Sequence, residues 1–312
     1  MSNPYIMKKG VANMLDLKDG YMGYGNLAIG AKTVYHVDNN NGNDSNAGTS
    51  WDDAIKTLSI ALAKSHADIA VNAKGWAARN VIFFKGDQDA DADGENLVLL
   101  AQKTDIVGVG TTSCFLQPTL VGAHVPISAT GIGVRFINMR FKAPAAGGTI
   151  FTLNSTQRGI EFINCTFDAT NTAAATSAII ATAVWFLKVK GCQFVGPFAG
   201  TVISIATGNA QGLEVTDNYI EGAANGVSLA TGVTSSPNHM LVARNIMRVG
   251  GIGINDTDQT LLQIVDNRVT TTAAKGVGGA GAIVGNEYLA MGNKISASDL
   301  GGADWPALGS LT

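Results

Sequence analysis

The chain is short of most residues that announce a mechanism. It has three cysteines, Cys114, Cys165 and Cys192, and their spacing fits neither a metal motif nor a disulfide framework. Charged residues make up only 14% of it, the formal net charge is −3, and no basic stripe occurs. That disfavours nucleic acid as a partner. No run reaches the roughly 18 consecutive apolar residues of a membrane span, so no membrane partner is expected. A secretory signal is also missing, because Lys8 and Lys9 are followed by broken, glycine-rich sequence instead of an apolar core. A protein of this kind that acts outside a cell needs another exit, and release of a virus particle by lysis is one. Aromatic residues are 7% of the chain, too few for the aromatic-lined loops of a polysaccharide-cleaving groove. The four histidines, His36, His66, His124 and His239, are scattered. None stands at a repeat position with an Asp and a Ser or Cys partner, so each reads as a surface or satisfied residue.

What the chain has is repetition. One short phrase recurs seven times between Val134 and Ile295, ending on Phe141, Phe167, Phe194, Ile220, Met247, Val269 and Ile295. By subtraction the intervals are 26, 27, 26, 27, 22 and 26 residues, a period that marks a stacked architecture. Five positions before each end residue stand Phe136, Phe162, Val189, Val215, Val242, Ile264 and Ala290. Seven before stand Val134, Ile160, Leu187, Leu213, Met240, Leu262 and Tyr288. Apolar residues two apart indicate strand. The expectation is a coil of strands stacked about 4.8 Å apart, with the inward side chains forming apolar columns. Two before the end stand Met139, Cys165, Cys192, Asn218, Asn245, Asn267 and Asn293. Four successive Asn at one turn position predict an amide ladder, with Cys165 and Cys192 as small buried fillers, not a disulfide.

Upstream, Val34–Val37 reads as a strand, followed by the turn-rich run Asp38 to Ser50. Asp52 can then cap a helix over residues 52–65, with Ala54, Ile55, Leu58, Ala61 and Leu62 on one face. Val81–Phe84 and Leu97–Leu100 read as further strands. The order strand, G-N-D-S-N-A-G-T, helix with Lys56-Thr57-Leu58 resembles the entry segment of pectate-lyase-like right-handed parallel β-helix proteins. The resemblance runs from residue 33 to about 110 by motif and to 297 by period. It implies an all-β, right-handed, single-stranded parallel β-helix (a solenoid) over residues 33–297, with helix 52–65 covering the open end. Physics agrees, since a solenoid end exposes unpaired strand edges. The resemblance says little about activity, because this scaffold serves lyases, hydrolases, adhesins and virus structural proteins alike.

Residues 1–32 read as an N-terminal extended arm, either a loose terminus or an attachment segment whose Tyr5, Tyr21 and Tyr24 supply contact area. Residues 298–312, with Trp305-Pro306, read as a C-terminal tail or cap. Asp89, Asp91, Asp93 and Gly94 match the start of a calcium loop. The twelfth position is Leu100 instead of Glu, which excludes an EF-hand and leaves either a looser calcium site or a solvated acidic loop. No other cofactor is expected.

Three outward columns matter for function. Arg135, Glu161, Lys188 and Glu214, six before the end residue, read as a cross-strand charge ladder. Three before the end, Asp217, Arg244 and Asp266 would stack on adjacent coils as the sharpest catalytic candidates. The competing reading is a structural ion triad at a turn where Asp is common. Four before, Ile137, Ile163, Lys190, Thr216, Ala243, Val265 and Met291 are mostly apolar. Such a stripe calls for cover by the chain's own loops or by a second subunit, and side-by-side homotrimers are common among virus β-helices. The function expected is a non-enzymatic structural protein of a tailed-phage particle, a capsid decoration or fibre/spike-like protein. The arm would bind other virion proteins of capsid or tail, and the chain would be made in the host cytoplasm without a signal peptide. The alternatives are a polysaccharide lyase or hydrolase, including a depolymerase, and an adhesin for a host surface glycan.

Overall fold

The seven-fold phrase folds because each coil alone has an apolar face with nothing to cover it. The computed structural model describes residues 31–71, 79–86, 94–98, 100–110, 114–118, 123–125, 132–144, 147–172, 175–206, 211–229, 240–256, 262–271 and 277–278. They form three parallel sheets of nine, seven and six strands, wound as a β-solenoid. The first sheet holds the residues five before each end position. Phe136, Phe162, Val189, Val215, Val242 and Ile264 lie in one register line. That line continues upward through Ile106, Ile82 and Tyr35, on strands the repeat did not reveal. The second sheet lines up the end residues themselves, Phe141, Phe167, Phe194, Ile220, Met247 and Val269.

The third sheet was not expected. Its strands include Gly148–Leu153, Ala175–Ala181, Thr201–Ile205 and Asn225–Leu229. Ala175–Ala181 is built mostly of small residues. Ala, Thr and Ser disguise the alternation there, yet Phe151, Ile179, Ile203, Val227 and Ile254 stack in register and are buried. The three inward faces meet in one core. Phe136 and Phe162 stack with centroids 5.2 Å apart, Phe167 and Phe194 at 4.7 Å, and Phe151 meets Phe141 edge-on at 4.9 Å. Offset and edge contacts of this kind add to the burial term itself.

The amide ladder is present and continuous over its described members. Asn218 Nδ2 donates to Asn245 Oδ1 at 2.8 Å, and Asn245 Nδ2 to Asn267 Oδ1 at 2.8 Å. The same amides donate to the carbonyls of Val189, Val215 and Val242 on the preceding coil, at 3.0, 2.9 and 2.8 Å for Asn218, Asn245 and Asn267. Cys165 and Cys192 are free, buried thiols that take over this role, pointing at the carbonyls of Phe136 and Phe162, each at 3.4 Å. Burial pushes the Cys192 thiol well up, reinforced by neighbouring Cys165. These are fillers with the right donor, as the column predicts.

The helix is displaced from its expected position. Residues 51–53 form a single 3-10 turn, and the α-helix α1 runs Leu58–Val71 instead of 52–65. Ile55 is recruited as an extended residue beside the first strand, bridging Val37 and bonding His36 through its N–H at 3.0 Å. That pairing overrides the local helical pattern, as tertiary context often does. The cap is non-local. Glu95 accepts from the N–H groups of Leu58 and Ser59, both at 2.9 Å, filling two of the donors a helix start leaves open. Leu58, Ala61, Leu62 and Ile69 are buried. Leu97 and Leu100 are likewise buried, but outside any sheet. The arm with Tyr5, Tyr21 and Tyr24, the loop with Asp89, Asp91 and Asp93, and the tail 298–312 lie outside the described residues.

The outward stripe is real in register but not left open. Phe83, Val107 and Ile137 line up and are buried in a second apolar cluster with Val81, against which Trp51 and Ile163 pack. Thr216 and Ala243 are buried too, and Lys190 interrupts the line as an exposed residue. The chain itself therefore covers much of what read as a subunit face.

Two outcomes follow for stability. Asn245→Ala removes the acceptor of the Asn218 N–H and of one Asn218 amide hydrogen, and the side-chain donor to the Val215 carbonyl, at about 1–3 kcal/mol for each group left unpaired. Thermal unfolding should show a loss at least twice that of Cys192→Ala. His124 is fully buried, and desolvation lowers its pKa from 6.5 to about 3. Between those values the unfolded chain binds a proton that the folded chain refuses, so stability rises with pH across the window. The slope is at most about 1.4 kcal/mol per pH unit. The fall in melting temperature from pH 7 to 4.5 should be shallower in His124→Gln.

Candidate functional site

The catalytic candidates sit in a turn column with one backbone signature. Asn138, Asn164, Gly191, Asp217, Arg244 and Asp266 all have positive φ, between 51° and 64°. Asn, Asp and Gly tolerate this left-handed conformation, whereas a long side chain such as Arg seldom adopts it. Arg244 is held there by a bidentate pair with Asp217, Nε to Oδ1 at 2.6 Å and Nη2 to Oδ2 at 2.9 Å. The structure thus brings Asp217 and Arg244 together as expected. Asp266 on the next coil is exposed and acts on Arg244 through its charge.

The electrostatics point away from proton transfer. The Arg244 hydrogen bonds hold the Asp217 carboxyl below the usual carboxylate range, and Asp217 in turn raises Arg244. A general acid or base works best with a pKa near the operating pH, and Asp217 is shifted the wrong way. Its side chain is 37% exposed and that of Arg244 51%, so water screens the pair and its contribution to stability is small.

A concave surface lies elsewhere. A groove of about 650 Å³ opens where the second sheet turns toward the third, lined by Pro197, Phe198, Glu221, Arg248, Thr270 and Thr271 among others. Glu221 accepts from Arg248 Nη1 at 2.9 Å and from the Tyr219 hydroxyl at 2.8 Å. Asp217, Arg244 and Asp266 do not line it. The sequence reading missed this groove; its only trace is the acid and base one position after the end residues of adjacent coils, Glu221 and Arg248. The expected charge ladder is in register, with Lys188 and Glu214 paired at 3.4 Å. It begins one strand earlier, at fully buried Asp105, which both Arg79 and Arg135 grip.

Two of the described histidines are enclosed, while His66 on α1 is half-buried. His36 sits against Trp51 and Phe83, and His124 against Phe151 with its Nδ1 accepting from the Leu97 N–H at 3.1 Å. Among the described residues no group of three or more His, Cys, Asp or Glu is placed to hold a metal. No described helix is long and apolar enough to cross a membrane.

Because Asn occupies the Arg244 position on two earlier coils, Arg244→Asn should change stability by less than about 0.5 kcal/mol, the surface-substitution range. Parallel denaturation curves of the two proteins check this. Comparison of the chain with protein-family models, with curated proteins and with solved structures found no match in any of the three.

Proposed function

We propose that this chain is a non-enzymatic structural component of a tailed-phage particle, a capsid decoration or fibre/spike-like protein. The observation that carries the reading is the state of the best-placed ionisable cluster. Asp217 is clamped by Arg244 on an exposed turn, with its pKa lowered and away from the groove. Charges so arranged satisfy each other across neighbouring coils and are poorly matched to proton transfer near neutral pH. The phage assignment is supported by the resemblance of residues 33 to 110 to the entry of pectate-lyase-like β-helices, a scaffold used by virus structural proteins. On this reading the winding is right-handed, α1 closes the open first coil, and residues 1–32 attach the solenoid to capsid or tail proteins. Homotrimeric association also belongs to it, supported by half-exposed Ile246 on the second sheet and no longer by the outward stripe.

The lyase or hydrolase reading is favoured by one feature, the Glu221–Arg248 groove. One experiment separates the two. Purified particles should contain the full chain at a fixed copy number, and a chain lacking residues 1–32 should keep its β-sheet circular dichroism but fail to attach. Attachment by the truncated chain, or release of reducing ends from a polysaccharide panel by the full chain, would overturn the proposal.

A further inference from the structure

A second left-handed turn column runs eight positions before the end residues. Gly133, Gly159 and Gly212 occupy it at φ 70°, 63° and 63°, as a position of this kind requires. On the coil between Gly159 and Gly212 the residue is Phe186, at φ 57°. A bulky aromatic in this region is strained, and burial does not compensate, because Phe186 is 46% exposed. Its ring lies over the next coil, where a Cβ on Gly212 would stand 2.4 Å from the Phe186 Cδ1. The glycine therefore clears the space the ring occupies. Strain held at an exposed side chain points to use, since the other described coils of the repeat carry glycine at this position.

The neighbours give the chemistry. Arg158, Trp185 and Gln211 are bridged in register on three successive coils. The Arg158 guanidinium carbon stands 4.1 Å from the Trp185 ring centre. Arg79, Arg135, Arg140, Arg244 and Arg248 each pair with a carboxylate. Arg158 is exposed and has no carboxylate partner among the described residues, and stacking on an indole leaves its N–H edge available.

We propose that Phe186, Trp185, Arg158 and Gln211 form a binding subsite for an anionic pyranose unit of a polysaccharide. The C–H face of the sugar lies on the Phe186 ring, its acidic group pairs with the Arg158 guanidinium, and Gln211 hydrogen-bonds a hydroxyl. A protein partner fits less well. A stable protein interface buries roughly 800 Å² on each side, whereas this aromatic pair is flanked by polar side chains on both adjoining coils. The subsite binds and does not cleave, and it stands whether or not the chain is a virion component.

The test is calorimetric titration of the full chain with a galacturonate tetramer, a sulfated heparin tetrasaccharide and neutral maltotetraose. At least one acidic probe should bind, at least tenfold more tightly than maltotetraose. Phe186→Gly installs the residue of the two flanking coils, Gly159 and Gly212, so its melting temperature should equal or exceed the parent's while acidic-probe affinity falls tenfold or more. Arg158→Gln should remove the preference for the acidic probe. The proposal fails if the parent binds none of the three, if Phe186→Gly binds as the parent does, or if Phe186→Gly melts lower. It also fails if that variant changes the oligomeric mass measured by light scattering, for the ring would then be a protein contact.

Discussion

The structure depends on every coil completing its turn against the coil beneath it. The left-handed residue three before each end position turns the chain from the first sheet to the second, and the side chain one position later crosses to the neighbouring carbonyl. Asn does this in three described coils and Cys in two, with the same carbonyl position as acceptor. This contact fixes register, because a slip of one residue would put the amide against no acceptor and turn the apolar columns outward. The aromatic stacks and the three-sheet core follow from register once it is fixed.

The fold was largely legible because its signal is periodic. The lines from Phe136 to Ile264 and from Phe141 to Val269 were visible as spacing alone, as was the amide column. What stayed hidden had weaker chemistry. In the third sheet Ala175, Ala178 and Ala181 share the inward packing with Ile179, which weakens the contrast between faces along that strand. The helix start was misplaced because Ile55 answers to the strand beside it, and because its cap, Glu95, comes from a loop 37 residues beyond Leu58. No local pattern contains either fact.

The candidate site was legible in position but not in character. Spacing alone stacked Asp217 on Arg244. Only the bidentate geometry shows that the carboxylate is tied down and that the pair holds a long side chain in a left-handed turn. The Glu221–Arg248 groove and the Phe186 anomaly needed coordinates. The first depends on how the corners of adjacent coils recede, and the second on seeing that an aromatic stands at a φ that the other described coils of the repeat give to glycine.

The amide ladder also has a direction. Asn218 finds its acceptor on Asn245, and Asn245 finds its own on Asn267, so each rung is completed by residues that come later in the chain. On a ribosome, a newly emerged winding could already reach the preceding coil's carbonyl, but its Asn N–H and second amide hydrogen would stay unpaired until roughly one further repeat had been made. Assembly of this molecule would then trail synthesis by a constant lag, sealing one storey only when the next is laid.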